Sequence, residues 1–360
     1  VYPGGEGVSY KYDSFGNMIG AKNSRGEVSI ERDYFGRITG VKDENGKKVG
    51  YSYDALGNLR EITYPEGETA RYSYDEEGRL KEVSDSILGS FTIIHDDKAG
   101  IVTKNYANGE KTVYTLDKAG NVTGLKEYLK DKSLYMDIEY GYDENGNRTK
   151  EKYNVFEGRK NKTGDAVKEN TYVYDSLNRL IASQEDKEIT VYHYDKLSNL
   201  VMEDKDGEIT KYEYNRLNQL VSKKGKEGVT SYTYDKLGNR MREEGSLGVK
   251  EYTYDNMGNL IQGVNEKGEV SIYEYSPLGM RTKEISITKG EDGKEKKVTT
   301  TYVVDYLGSE SNDLVSYERE GTGEVISEVV TRYTYAGGER IGQTIKENQR
   351  IGLFVKTLRT

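Results

Sequence analysis

The sequence has no cysteine, so neither a disulfide framework nor a thiolate metal site can be drawn from it. That leaves the compartment undecided, though compatible with secretion. Histidine is nearly absent too: only His95 and His193 are present, far apart along the chain, which argues against a catalytic triad or a histidine-based metal site. No apolar run approaches the roughly eighteen residues a spanning helix needs. The opening Val1-Tyr2-Pro3-Gly4 does not begin a signal peptide, so the segment reads as a soluble, mature or excised piece without membrane insertion. A basic footprint is also missing. With a net charge of -9 and a pI near 5.2, generic binding to nucleic-acid phosphates or an anionic membrane surface is disfavoured. No Gly-x-Ser-x-Gly, Walker A or dinucleotide fingerprint is found, and no cofactor is expected.

What the chain does have is tyrosine. Hydrophobic residues make up 34% and charged residues 32%, a balance close to that of disordered chains but for 33 tyrosines. A buried ring removes roughly 150–250 Å² from water and keeps a hydroxyl that can reach a partner. Rows of tyrosines can therefore stabilise a thin sheet that lacks a thick aliphatic core.

The tyrosines recur in register. Asp-x-x-Gly turns fall at 13, 33, 54, 75, 97, 117, 143, 175, 195, 215, 235, 255, 276 and 305, mostly 20 to 22 residues apart. Asn215 and Ser276 are the only anchors that are not Asp. The pairs Asp13/Gly16, Asp54/Gly57, Asp75/Gly78, Asp235/Gly238 and Asp255/Gly258 show the pattern in full. Asp caps nearby backbone N–H groups at the start of a type I turn, and Gly supplies a positive φ at its fourth position. Where Gly is replaced, Asn178 and Asn218 fit the left-handed region and Ser198 does not. Upstream, Tyr-x-Tyr recurs in ten copies, among them Tyr51/Tyr53, Tyr72/Tyr74, Tyr192/Tyr194, Tyr212/Tyr214, Tyr232/Tyr234 and Tyr252/Tyr254. Strand side chains alternate, so both rings share a face while Ser52, His193 or Glu213 points the other way. A second strand such as 59–64 and a polar turn such as Asp206-Gly207 complete each unit.

The expected fold is all-β: tandem antiparallel hairpins in a long sheet that coils or spirals, since open sheets rarely exceed ~10 strands without curling. A partial shell, an open spiral and an elongated fibre all meet that description. The chain reads as one array over 1–360, with loop or lengthened-hairpin insertions near 126–139, 153–170 and 285–300.

Segments such as Tyr51-Ser52-Tyr53-Asp54-Ala55-Leu56-Gly57-Asn58-Leu59 and Tyr72-Ser73-Tyr74-Asp75-Glu76-Glu77-Gly78-Arg79-Leu80 resemble the YD repeat of RHS-repeat proteins. Members include bacterial rearrangement-hotspot and wall-associated proteins, the C components of insecticidal toxin complexes, and teneurins. The resemblance implies a β-sheet spiralling into a hollow shell that in bacterial members encloses a C-terminal toxin. Residues 302–342 are similar to the last repeats before an RHS core-associated segment. The self-cleavage segment of toxin members, with its Asp-Pro-x-Gly type motif, is not found before Thr360; the three prolines, Pro3, Pro65 and Pro277, lie elsewhere. Self-cleavage and toxicity are therefore not carried over to these residues.

An Asp needed once per active site would not recur at one turn position in twelve copies, so the anchors read as structural and no enzyme is expected. Asp43-Glu44-Asn45-Gly46 and Asp143-Glu144-Asn145-Gly146 offer oxygen ligands, but neither continues into a twelve-residue calcium loop with a closing Glu. Asn121, Asn147 and Asn161 sit in glycosylation-type triplets, a pattern common by chance. Exposed tyrosine rows could stack on sugar rings; alternatively the rings stack on one another as cross-strand neighbours. The expectation is a non-catalytic scaffold of a secreted or cell-surface bacterial protein, with a carbohydrate- or protein-binding adhesion module as the alternative. Its expected partners are an enclosed C-terminal effector or neighbouring repeats, glycans, and further copies joined end to end through unpaired strand edges.

Overall fold

The structure, a computed structural model, describes residues 7–156, 167–290, 293–308, 312–321, 327–347 and 350–355. Among these residues there are 31 strands and no helix, from Ser9–Tyr12 to Arg350–Val355. The alternation of residue types along each strand explains why. In Lys48–Tyr53, Val49 and Tyr51 are buried while Lys48 and Ser52 face out; a period of two is what a half-buried strand needs.

The chain forms two compact units, Thr92–Lys250 and a second built from Val1–Phe91 together with Glu251–Thr360. In Thr92–Lys250, strands pair antiparallel with their neighbours in sequence, as in Tyr192↔Glu203 and Tyr212↔Lys223. Among its described residues the buried apolar side chains are few, Tyr106 and Ile138 among them.

The other unit contains two ladders. One runs from Ser9–Tyr12 to Leu80–Asp85 and the second from Gly248–Tyr254 to Arg350–Val355. The first contributes Val28, Val41, Val49, Tyr51, Ile62, Tyr64 and Val83 to a core that the second completes with Val303, Val304, Leu314, Val315 and Tyr317. Burying such side chains contributes about 1.5–3 kcal/mol each, so this unit has a substantial apolar core. Side chains also bond between the ladders, which fixes their alignment.

Two of the three irregular stretches are regular hairpins. Val122–Tyr128 and Leu134–Tyr142 flank a turn in which Lys132 takes a φ of 67°. Arg281–Lys289 and Glu295–Val304, of 9 and 10 residues, run past the usual length to a turn at Gly290–Lys294. In the third, the strand Arg148–Val155 pairs with Lys168–Tyr174, and the intervening 157–166 lie outside the described residues.

Candidate functional site

Most anchor turns are built on one carboxylate, with Asn215 Oδ1 and Ser276 Oγ taking its place in two of them. At Asp54 the backbone N–H donates to the Asn58 carbonyl at 2.9 Å, and Gly57 N–H returns to the Asp54 carbonyl at 3.1 Å. Oδ1 accepts the N–H groups of Leu56 and Asn58, both at 2.9 Å, and Oδ2 accepts Asn58 Nδ2 at 3.0 Å. Asp13, Asp235 and Asp255 repeat the set with Asn17, Asn239 and Asn259, and Asp75 substitutes Arg79 Nε at 2.8 Å. The Asn side-chain bond leads the causes that hold the Asp13, Asp54 and Asp235 carboxyls below their usual range, followed by the backbone N–H donors and opposed by burial. Gly16, Gly57, Gly78, Gly238 and Gly258 have φ between 78° and 92°. Carboxylates bonded in this way are turn elements with little capacity left for proton transfer.

Two anchors depart from the sequence reading. Ser198 takes a φ of 67°, as Asn178 and Asn218 take 59°, so the fold imposes the left-handed conformation even on serine. At 97–100 the capping oxygen comes from Asp96, whose Oδ1 accepts Ala99 N–H at 3.0 Å. The hairpin there closes with Asp96 opposite Ile101, which moves the cap one residue upstream of the anchor position.

The tyrosine pairs share a face: Tyr51 is buried, Tyr53, Tyr72, Tyr74, Tyr192, Tyr194, Tyr212, Tyr214, Tyr232, Tyr234, Tyr252 and Tyr254 are half-buried, and Ser52, Ser73, His193 and Glu213 between them are exposed. The second tyrosine has a recurring bond that the sequence reading missed. Its hydroxyl donates to the backbone carbonyl five residues after the preceding anchor: Tyr53 to Ile38 at 2.8 Å, Tyr74 to Leu59 at 3.0 Å, Tyr194 to Leu180 at 2.8 Å. Tyr214 to Leu200 at 3.0 Å, Tyr234 to Leu220 at 2.7 Å and Tyr275 to Leu260 at 2.8 Å continue the series. Each accepting residue lies just past the register shift at the turn, opposite a second tyrosine in five cases, as Leu59 lies opposite Tyr53, and opposite Arg32 in the case of Ile38. Guanidinium groups cover some ring faces, Arg37 over Tyr53 at 4.6 Å and Arg179 over Tyr194 at 4.8 Å. Repeats that carry the second tyrosine are thus tied to the one before by the ladder, the hydroxyl and, in places, a cation.

The strongest polar cluster joins the two ladders of the unit containing the termini. Asp85 accepts Arg332 Nη1 and Nη2, each at 2.7 Å, Thr334 Oγ1 at 2.6 Å, and the backbone N–H groups of Ile87 and Leu88, each at 2.9 Å. Burial alone would push the Asp85 carboxyl up; the Arg332 bonds outweigh it and hold it below its usual range. The Arg332 guanidinium also lies over the Tyr64 ring at 4.6 Å, and Tyr64 donates to the Tyr333 carbonyl at 2.9 Å. Nearby, Tyr51 donates to Asp305 Oδ1 at 3.0 Å, Thr282 donates to Glu44 Oε1 at 2.5 Å, and Tyr317 donates to Glu66. Asp43, 4% exposed, has its carboxyl pushed up to about 6, first by burial and then, against its backbone bonds, by Glu44. A cleft of about 710 Å³ opens beside this cluster, lined by Lys47, Glu66, Glu68, Tyr317, Arg319 and Glu328 among others. Lys47 pairs there with Glu66 and Arg319 with Glu328.

The calcium-type turns are closed by their own backbone: Asp43 Oδ1 accepts Asn45 and Lys47 N–H, and Asp143 Oδ1 accepts Asn145 and Asn147 N–H. No grouping of three or more His, Asp or Glu fit for a metal occurs among the described residues. His95 lies opposite Val102 in its ladder, far in register from His193 opposite Met202.

Comparison with known proteins places this geometry. The RHS Repeat family model matches residues 32–69 and 53–86, and the Teneurin YD-shell family model matches residues 86–284, more than half of the chain. No curated protein matches the sequence. The crystal structure of TcdB2-TccC3 is similar at a TM-score of 0.68 and 14% identity, over 98% of this chain and 21% of that one. The Tc holotoxin pore of Photorhabdus luminescens is similar at 0.66 and 14% identity, over 95% of this chain and 19% of that one. At such identity the likeness concerns the fold, and the chain spans about a fifth of the length of these two.

Proposed function

The chain belongs to the Teneurin YD-shell family, and from that premise we propose that it is a non-catalytic wall segment of a secreted or cell-surface bacterial protein, part of a β-shell that encloses a C-terminal effector. Its work is steric. A wall must present the same bonded unit at every position and leave no gap between repeats. The observation that carries the reading is the coupling of anchor turn and tyrosine hydroxyl, which commits the carboxylates to closing each turn and the phenols to tying a repeat to the one before it. The whole of 1–360 is read as one such array, the long hairpins near 126–139 and 285–300 and residues 153–170 being elaborations of it.

Three supports are chemical. Turn carboxylates held below their usual range by several donors are poor general acids. The two histidines stand in different hairpins. Rings whose faces carry Arg37 or Arg179 are less free to stack on a sugar, which weakens the adhesion alternative.

Cryo-electron microscopy of the purified chain tests the proposal. A curved wall bounding a lumen is the expected image; a straight rod or filament with no interior would overturn the enclosure reading. A glycan array tests the alternative, where saturable binding abolished by Tyr212→Ala or Tyr232→Ala would replace the wall with an adhesin.

A further inference from the structure

The third residue of the anchor turn gives its backbone N–H to the anchor side chain, as Leu177 does to Asp175 Oδ1, but its own side chain takes no part in closing the turn. Glu77 and Asn145 occupy it in two repeats, and the backbone bonds are unchanged. Yet four consecutive repeats of Thr92–Lys250 place leucine there: Leu177, Leu197, Leu217 and Leu237, exposed by 66%, 69%, 78% and 73%. Successive tips lie two strand spacings apart, about 10 Å. They are also cross-linked: Arg179 Nη1 donates to Ser198 Oγ at 3.1 Å, and Asn199 Nδ2 donates to Asn218 Oδ1 at 3.2 Å. The leucines therefore form a fixed apolar ridge along one edge of the ladder, with Lys196, Arg216 and Lys236 beside them. A row of this kind, supported at its base and free at its crest, is the signature of a docking surface.

The same turn position shows what covers it elsewhere. In the unit that contains the termini, Leu278 and Leu307 occupy it and are half-buried. There the Ser276 and Asp305 turns meet turns from the opposite edge of the other ladder. Asn23, Ser24 and Arg25 share a cleft with Met257 and Pro277; Glu44 accepts from Thr282, and the Tyr306 N–H donates to the Tyr51 hydroxyl at 3.4 Å. The anchor edge of the second ladder is thus met by an opposite edge, while at the same turn position in the first ladder Phe15, Phe35 and Leu56 stay exposed by 84%, 79% and 87%.

Thr92–Lys250 has an opposite edge of its own with the same period. It carries the turns between Glu185 and Glu188, Lys205 and Glu208, and Gly225 and Gly228. Its turns carry Asp186, Glu188, Asp206, Glu208 and Glu227 beside Lys187, Lys205 and Lys226, a net negative charge although Glu188 pairs with Lys205 and Glu208 with Lys226; Ile189, Ile209 and Val229 stand next to it, 48%, 48% and 52% exposed. We infer that the leucine ridge at 177–237 binds the 185–228 edge of a second copy of this chain, leucine rows against Ile/Val rows and Lys/Arg against acidic turns. The contact joins unlike surfaces, so each copy keeps one free edge and association continues beyond the dimer. It is lateral, and differs in this from pairing of strands at the ends of the array.

Sedimentation velocity of the purified chain over a range of concentrations tests this. The wild type should gain mass with concentration, and added salt should weaken the association. A tip variant with Leu177, Leu197, Leu217 and Leu237 all replaced by Ser, and an edge variant with Glu188→Lys, Glu208→Lys and Glu227→Lys, should each associate at least roughly tenfold more weakly. Both should keep the circular dichroism spectrum and melting point of the wild type, since the replaced side chains are exposed. Mixed together, the two variants should form one-to-one dimers that grow no further, because each retains the edge the other lacks. A wild type that stays monomeric, or variants that associate as the wild type does, would overturn the inference.

Discussion

Replacing Arg332 by Met keeps the length of the buried side chain and removes its charge, leaving the Asp85 carboxylate with Thr334 Oγ1 and two backbone N–H groups as its remaining donors. The side chains of Arg332 and Asp85 are 5% and 2% exposed, so water cannot take the place of the guanidinium without opening the core. Removing one partner of such a pair destabilises by about 3–5 kcal/mol, an uncompensated buried charge being the main term. That corresponds to local opening roughly two to three and a half powers of ten more frequent. Hydrogen exchange read by mass spectrometry in the strands Leu80–Asp85 and Ser327–Ala336 would register it, and exchange in Thr92–Lys250 would serve as the internal control. Adding Asp85→Asn to Arg332→Met should recover part of the loss, since the stranded charge is then gone. If Arg332→Met changes exchange in these strands by less than about fivefold, roughly 1 kcal/mol, or if the double replacement equals the sum of the singles, the pair does not hold the ladders together.

Ser198→Gly should raise stability by about 0.5–1 kcal/mol by removing the strain of a serine at positive φ, seen as a higher denaturation midpoint; a fall would mean that the Arg179 bond to Ser198 outweighs it. Tyr214→Phe deletes the hydroxyl that reaches the Leu200 carbonyl and should cost about 0.5–1.5 kcal/mol, with faster exchange in Leu200–Lys205 and Glu208–Tyr214. Asp43, with its carboxyl pushed up to about 6, favours the protonated form in the fold. Its penalty is absent below about pH 4, the ordinary carboxyl range, grows as pH rises to 6, and is constant above that. Asp43→Asn should therefore stabilise the chain at pH 7 by about 1–3 kcal/mol and by much less at pH 4, as read from urea unfolding at the two values. An equal effect at both would place the raised carboxyl elsewhere.

The repeat was legible because local chemistry repeats itself. Asp at the anchor and Gly three residues later dictate the turn, and Tyr-x-Tyr dictates a face, so strands, turns and register could be read from any few copies. Ser198 shows the limit of that reading: the neighbouring hairpins set the backbone, and the side chain's own preference yielded to them. The hydroxyl-to-carbonyl bond was half visible, since the regular tyrosine spacing marked the donor while nothing in a backbone carbonyl marks the acceptor. Asp85 and Arg332 left no trace. They sit 247 residues apart, in repeats whose other members have no such pair, and only the meeting of the two ladders makes them neighbours. Nothing in the sequence sets Leu177, Leu197, Leu217 and Leu237 apart, because exposure is a property of the assembled edge.

The tyrosine hydroxyl that reaches back to the preceding repeat also bears on how such a gene can change length. Donor and acceptor belong to adjacent copies, and along the run anchored at 195, 215 and 235 each copy supplies the donor to the one before it. A duplication of twenty codons in register therefore inserts a unit that satisfies its neighbours on both sides, and a deletion of twenty rejoins units that already fit. Out of register, the same event leaves a phenol without a carbonyl and turns every following side chain to the wrong face. Selection on an array of this kind should tolerate changes in copy number and purge changes in phase.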